Sequence, residues 1–262
     1  MPTAAHALLA RLADHGVEHL FANAGTDFAP LIEALAEGGV PAPRTVLVPH
    51  ESVAVGMAHG YYLATGRPQA VMVHTNVGLA NALMGAINAA ADQVPVLLAS
   101  GRTPVSEQGR TGSRSTPINW GQEMRDQAGM VREVVKWDGE LRYPEQMGDL
   151  VDRALGVAMS APRGPVYLGL PRETFCEPVE PQPPRPLPPP RRHRAASDRG
   201  RGGGAPARRS RQPDDHPPHR GGGGDGAESP LQAFAERHAI GVIEFWPSRQ
   251  RAVEPVARAP GL

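Results

Sequence analysis

Two short strings in this chain set a carboxylate or an imidazole beside small hydroxyl and amide groups: Pro49-His50-Glu51-Ser52 and His74-Thr75-Asn76-Val77-Gly78. A third, Asn23-Ala24-Gly25-Thr26-Asp27, adds an amide, a hydroxyl and a second carboxylate. Carboxylates and imidazoles are the groups that carry most enzymatic proton transfer near neutral pH. Glu51 and His74 are therefore the first candidates for acid–base chemistry. Each of these residues also has a plain structural use. Glu51 in the first turn of a helix gains ~0.3–1 kcal/mol from the helix dipole, and a histidine at a strand end can simply be hydrogen-bonded. Thr26 and Asp27 can cap a helix that begins at Phe28.

The elements that must position these strings alternate along residues 1–177. Short runs rich in Val, Leu and Ala predict strands at 19–23, 45–49, 70–74, 95–100, 132–137 and 165–170. Helical patterns lie between them: AHALLARLADHG, FAPLIEALAEG, ESVAVGMAHGYYLATG, LANALMGAINAAAD and PEQMGDLVDRALGVAMS. Strands apolar on both faces and separated by helices predict an α/β fold, a doubly wound parallel sheet of about six strands with helices on both faces. In such a sheet the three strings open at the same edge, where ligands bind at a switch in strand order. No G-x-G-x-x-G follows the first strand and no G-x-x-x-x-G-K-[ST] occurs, which argues against a nicotinamide or nucleoside triphosphate site.

The rest of the chain reads differently. Residues 178–230 hold 13 Pro, 10 Arg and 9 Gly, with Val179 and Leu187 as the only large apolar residues, so little can offset the entropy of ordering them. A disordered Pro/Arg/Gly-rich tail is expected over 178–229, a short helix-strand remnant over 230–249, and a disordered end over 250–262. The 10 Arg of this tract face 6 acidic residues and no interleaved aromatics, so nucleic acid is not an expected partner. The formal charge of the whole chain is +0, from 27 basic and 27 acidic residues. No apolar run is long enough to span a membrane, the first residues lack the pattern of a secretion signal, and a lone Cys176 cannot form an internal disulfide. These features read as a cytoplasmic protein.

The string VLVPHESVAVGMAHGYYLATGRPQAVMVHTNVGLANALMGAINAAADQVPVLLASG resembles the pyrimidine-binding domain of thiamine-diphosphate-dependent enzymes of the acetolactate synthase and benzoylformate decarboxylase type. The family pattern is a strand ending in H-E, a helix with a G-x-A-x-G-Y-like run, T-x-x-G-x-x-N, and P-[LIV]-[LIV]-x-x-[ST]-G. Here these are His50-Glu51, Gly56 through Tyr62, Thr75 through Asn81, and Pro95 through Gly101. FANAGTDFAPLIEAL is similar to the family's opening turn and GPVYLGLPRETF to its closing strand. The resemblance implies that the Glu51 carboxylate bonds N1′ of the cofactor's aminopyrimidine, favouring the tautomer whose 4′-nitrogen takes the proton from thiazolium C2. It implies Glu51 and His74 as catalytic residues, and Gly25, Thr75, Gly78 and Asn81 with Glu51 against the cofactor. Thr26, His50 and Gln122 are then directed to a 2-oxo acid substrate. His74 with Thr26 is similar to the decarboxylase arrangement, whereas Gln122-Glu123 is similar to the synthase branch, so the substrate stays open.

By the same resemblance, Mg2+ and the diphosphate belong to a separate domain, with no metal ligand assigned to this chain. Gly224-Asp225-Gly226 resembles that domain's metal motif, but it stands in a poly-Gly run with no Asn after it and reads as an accident of composition. FAD, which some synthases of the type carry, finds no support in these motifs. The string LQAFAERHAIGVIEFWPSR resembles part of the family's central domain. The tract before it can be recoded one base out of frame to give Asn-Pro-Met-Ile-Thr from Gln212 through His216, which suggests frame-shifted coding. The expectation is thus a thiamine diphosphate pyrimidine half-site, truncated and inactive alone, completed in a homodimer or by a partner diphosphate-binding domain. The alternative is a binding module that pairs with a separately encoded diphosphate-binding subunit.

Overall fold

A computed structural model describes residues 1–114 and 121–180. The expectations for the tail beyond residue 180, including those for 230–249 and 250–262, lie outside the described residues.

The elements run α1 (Ala4–Asp14), β1 (His19–Asn23), a 3-10 turn at Thr26–Phe28, α2 (Ala29–Glu37), β2 (Arg44–Leu47), α3 (Glu51–Thr65), β3 (Gln69–Val73) and α4 (Thr75–Ala91). They continue with β4 (Val96–Arg102), β5 (Asp138–Glu140), α5 (Met147–Met159), β6 (Val166–Pro171) and the short α6 (Arg172–Cys176). The strands form one sheet in the order β2-β1-β3-β4-β6-β5, and every pair in it is parallel. The chain moves outward from β1 to β2 and then returns past β1 to β3, so the strand order switches between β1 and β3. This is the expected doubly wound α/β fold.

Side chains alternate across the sheet with period two. Leu20, Ala22, Ala70, Met72, Leu97, Ala99, Val166, Leu168 and Leu170 pack with Leu8, Leu9 and Leu12 of α1, Leu31 of α2, Val151 and Leu155 of α5 and Phe175 of α6. Phe21, Val71, Val73, Val96, Leu98 and Tyr167 pack on the opposite face with Ala54, Val55 and Ala58 of α3 and Leu79, Ala82, Ala86 and Ala89 of α4. The small residues on α3 and α4 let these helices approach closely: a Cβ built at Gly85 of α4 would lie 2.6 Å from Val55 Cβ. α3 ends at Gly66, whose φ of +74° is the left-handed conformation that closes helices at low cost for glycine.

Three local expectations are corrected. The run 132–137 is not a strand. Val131, Val134 and Val135 follow a helical i, i+3, i+4 spacing, and the amides of Val134 and Val135 both bond Val131 O, at 2.9 and 3.0 Å. That turn sets Val131 into the core cluster that holds Tyr167, backbone bonds toward β6 begin at Lys136 N to Pro165 O, and the strand register starts at Asp138. α4 begins at Thr75, four residues ahead of the expected pattern LANALMGAINAAAD, and leaves His74 alone as the connection from β3. The segment after β6 turns at once into α6, so GPVYLGLPRETF holds a strand and a helical turn.

Candidate active site

The register of β1 on β3 determines what meets at the switch. Asn23 pairs with Val73, so the two strands end side by side and Gly25 arrives against His74. A Cβ built at Gly25 would overlap the imidazole, with His74 Cε1 at 2.7 Å, so this position has no room for a side chain. Asn23 Nδ2 also donates to Val48 O at 2.9 Å, tying the end of β1 to the segment after β2 that delivers Glu51.

Two groups of side chains result. In the first, Glu51 opens α3 and is 8% exposed. Its Oε2 accepts from Asn81 Nδ2 at 3.1 Å, one turn and a half into α4. A Cβ at Gly78 would stand 3.3 Å from Glu51 Oε1 and 3.1 Å from Val73 Cβ, so this glycine forms the floor under the carboxylate. In the second group, His74 Nδ1 lies 2.6 Å from Asp27 Oδ1 and His74 Nε2 lies 3.1 Å from Gln122 Nε2. Asp27 Oδ2 accepts the backbone N–H of Thr75 at 3.2 Å. The first turn of α4 joins the groups, since Gly78 N donates to His74 O at 2.7 Å.

Thr75 carries the cost of this sharp entry into α4. Its φ of +37° is unfavourable for a β-branched residue, worth roughly 1–3 kcal/mol, and such backbone strain persists only where surrounding contacts hold it. Here the Asp27 carboxylate holds the Thr75 amide. Thr75 Oγ1 and Asn76 Oδ1 are buried without a hydrogen-bond partner among the described residues.

Of the residues expected from sequence, the structure brings Glu51, Gly78 and Asn81 together, and it brings Gly25, His74, Thr75 and Gln122 together. Thr26 lies on the exposed turn beside them. His50 is exposed and caps α3: its Nδ1 accepts from Ser52 N at 3.2 Å and stands 2.9 Å from Ser52 Oγ. Asp27 was expected only as a helix cap, yet it is 3% exposed and bonded to a residue 47 positions away. The signal that could have exposed it is the adjacency of the β1 and β3 ends, which strand order alone implies. A further buried polar set lies at the end of β4. Tyr167 OH lies 2.7 Å from Ser100 Oγ, and Gln127 Nε2 donates to both. Burial pushes the Tyr167 phenol above its ordinary value. Nothing in the sequence singled out that set.

Open parallel sheets bind ligands beyond their strand ends where the order switches, and a buried carboxylate and an imidazole stand at that place here. By class, the described residues are a ligand-binding α/β domain. Residues 2–130 match the family model described as thiamine pyrophosphate enzyme, N-terminal TPP binding domain. The chain belongs to this family of thiamine-diphosphate-dependent enzymes and carries its N-terminal domain. It is 31% identical to a probable 2-ketoarginine decarboxylase of Pseudomonas aeruginosa over 68% of this chain and 30% of the relative. It is 29% identical to a benzoylformate decarboxylase of the same species over 63% and 29%. An acetolactate synthase large subunit of Haemophilus influenzae is 30% identical over 62% of this chain and 26% of its own length. The chain thus spans less than a third of these relatives. The fold is similar to that of a benzoylformate decarboxylase from Polynucleobacter necessarius, with a TM-score of 0.57 and 24% identity over 70% of this chain and 32% of that one.

The chemistry of the residues present fits thiamine diphosphate. Among the described residues only Asn81 donates to the Glu51 carboxylate, which leaves Oε1 free to pair with a ring nitrogen. Among the described residues no group of three His, Cys, Asp or Glu could hold a metal ion, and no helix is long and apolar enough to cross a membrane.

Proposed function

We propose that this chain supplies the aminopyrimidine half of a thiamine diphosphate site in an enzyme that acts on 2-oxo acids. The observation that carries the reading is Glu51, buried at the start of α3 with one carboxylate oxygen bonded to Asn81 and the other open above Gly78. When bound, thiamine diphosphate supplies the electron sink for cleavage beside a 2-oxo group.

With the cofactor bound, Glu51 Oε1 would hold a proton shared with a pyrimidine nitrogen, and the Asn81 bond to Oε2 restrains the carboxylate. Gly25 makes room for the His74 imidazole, and Gly78 makes room for the Glu51 carboxylate against Val73. His74 Nε2 is the group placed to take or give a proton on the substrate side, with Gln122 beside it and Thr26 on the neighbouring turn. His50 serves α3 as its cap and acts on substrate only if its ring leaves Ser52.

The diphosphate and Mg2+ are left to a second domain or a second chain. That assignment is supported by an apolar surface on the same two helices: Val53 and Met57 of α3 and Met84 and Ile87 of α4 are 40–63% exposed. Large apolar groups left exposed mark a surface that a partner covers. The substrate is a 2-oxo acid, and the names of the relatives span both decarboxylases and synthases.

The test is a titration of thiamine diphosphate with Mg2+ into the native assembly containing the full chain, followed by calorimetry. Saturable binding that weakens in Asn81→Leu supports the reading. An intact assembly that binds no cofactor, or binds it equally well with Asn81→Leu, overturns it.

A further inference from the structure

We infer that Asp27 is the positioning residue that sets the tautomer of His74 and presents Nε2 as the bare nitrogen of the site. The inference deepens the proposed function and rests on its placement of His74 beside substrate, although its first test does not require cofactor.

Three contacts and two glycine positions carry it. A carboxylate offers only acceptors, so at 2.6 Å the Asp27 Oδ1 position requires the proton on His74 Nδ1. The other ring nitrogen then carries a lone pair, and the Gln122 amide, whose Nε2 is a donor, stands 3.1 Å from it. The second Asp27 oxygen is engaged by the Thr75 N–H at 3.2 Å, so the carboxylate is held from both sides and cannot turn away from the ring. Two glycines make the space. A Cβ at Gly25 would overlap the imidazole, and a Cβ at Gly101 of β4 would lie 2.5 Å from Asp27 Cγ. The pair is thus enclosed by the ends of β1, β3 and β4.

The dyad uses the logic by which an acid fixes a catalytic imidazole. When His74 Nε2 accepts a proton from a substrate O–H or C–H, the substrate oxygen or carbon keeps the electron pair. The positive charge formed on the ring lies against the Asp27 carboxylate. The same proton returns from Nε2 to the product, and the ring is restored as the Nδ1–H form.

Asp27→Asn separates this role from simple packing. Asparagine is nearly isosteric, but it has one carbonyl oxygen where Asp27 has two acceptors. If that oxygen keeps the Thr75 amide, the NH2 group faces His74 Nδ1 and drives the proton to Nε2, where it meets the Gln122 donor.

The experiment is long-range nitrogen-15 NMR of histidine-labelled full-length chain at a pH where the ring is neutral, with His74 assigned by its loss in His74→Gln. In the wild type the expected result is protonated Nδ1 and bare Nε2. In Asp27→Asn the expected result is a shift toward the Nε2–H form, with return toward the wild-type pattern in Asp27→Glu. A wild-type ring protonated at Nε2, or a tautomer unchanged in Asp27→Asn, overturns the inference, and the wild-type spectrum alone decides if the variant does not fold. In the loaded native assembly, Asp27→Asn is expected to lower kcat by ~10²–10⁴-fold, the range of general acid–base catalysis, with little change in KM. An unchanged kcat overturns the positioning role. An assembly that binds no thiamine diphosphate while the tautomer is fixed as expected overturns the proposed function and leaves the Asp27 lock standing.

Discussion

Gly101→Ala is the sharpest perturbation of the enclosed dyad, because it adds one methyl group to a strand and nothing else. The new Cβ would overlap the Asp27 side chain, with Cγ at 2.5 Å, and neither backbone can yield easily. Gly101 lies within β4, whose neighbours Ser100 and Arg102 are paired with β6. Asp27 is 3% exposed and engaged on both oxygens. Overpacking of this kind costs roughly 1–3 kcal/mol. Displacing Asp27 also breaks its bonds to His74 and Thr75. Bonds to charged groups are worth about 1.5–3 kcal/mol each, of which about half returns as the carboxylate meets water. The sum is a destabilisation of roughly 2.5–6 kcal/mol. With a urea slope of about 2 kcal/mol per M, the unfolding midpoint should fall by about 1.2–3 M. Circular dichroism of the full chain measures this directly. Gly60→Ala is the control, since Gly60 sits exposed in α3 with nothing within 4 Å of a Cβ, and it should stabilise by about 0.5–1 kcal/mol. A Gly101→Ala change below about 0.5 kcal/mol, the range of an ordinary surface substitution, would refute the packing of Asp27 against β4.

Other consequences can be checked more simply. Tyr167→Phe removes the hydroxyl that Ser100 and Gln127 both reach and should cost about 1–2 kcal/mol in thermal or urea unfolding. Because burial raises the Tyr167 phenol above its ordinary 10.0, the wild type keeps that stability below pH 10.0 and loses it as pH rises through the higher folded-state value. The Phe variant should lack this alkaline loss, and parallel alkaline profiles for the two proteins would contradict the assignment. Burial likewise pushes the half-buried Cys176 thiol above its ordinary 9.0. Alkylation by iodoacetamide should therefore be slower than for a free thiol and still rising beyond pH 9.0, and a rate that levels off below that pH would be the contrary result.

Much of this architecture is written in the chain's local patterns. β1, β3, β4 and β6 are dense in Val, Leu and Ala because both sheet faces are covered, and the helix between each pair is equally plain. β5 was not legible, since Asp138-Gly139-Glu140 has no apolar pattern and is a strand only because β6 offers it an edge. The misread run before it shows how a helical spacing of three valines can pass for a strand when it is short. Thr75-Asn76-Val77-Gly78 reads as a loop by propensity, with a β-branched residue, an amide and a glycine in one turn. Tertiary demands override this: Asp27 bonds the Thr75 amide, and Gly78 is required beneath Glu51.

The candidate site divides in the same way. Glu51 and His74 stand in strings whose residue types raise them as candidates, and Gly78 and Asn81 are marked by the resemblance to thiamine-diphosphate-dependent enzymes. Asp27 has a sufficient local explanation as a cap, and its partner lies 47 positions away, so only the side-by-side ends of β1 and β3 reveal it. His50 shows the reverse: it adjoins the key carboxylate in sequence, but its ring is taken up by Ser52 at the surface.

The role proposed for Glu51 is to share a proton with the aminopyrimidine of bound thiamine diphosphate and so promote loss of the C2 proton. Its most direct test is deuterium exchange at thiazolium C2 of thiamine diphosphate, followed by proton NMR after rapid quench, in the native assembly with wild-type or Glu51→Gln chain at equal cofactor occupancy. The expected result is exchange slowed by roughly 10²–10⁴-fold in Glu51→Gln, the span of general acid–base catalysis, with the circular dichroism of the fold unchanged. Exchange at the wild-type rate in that variant would contradict the claim.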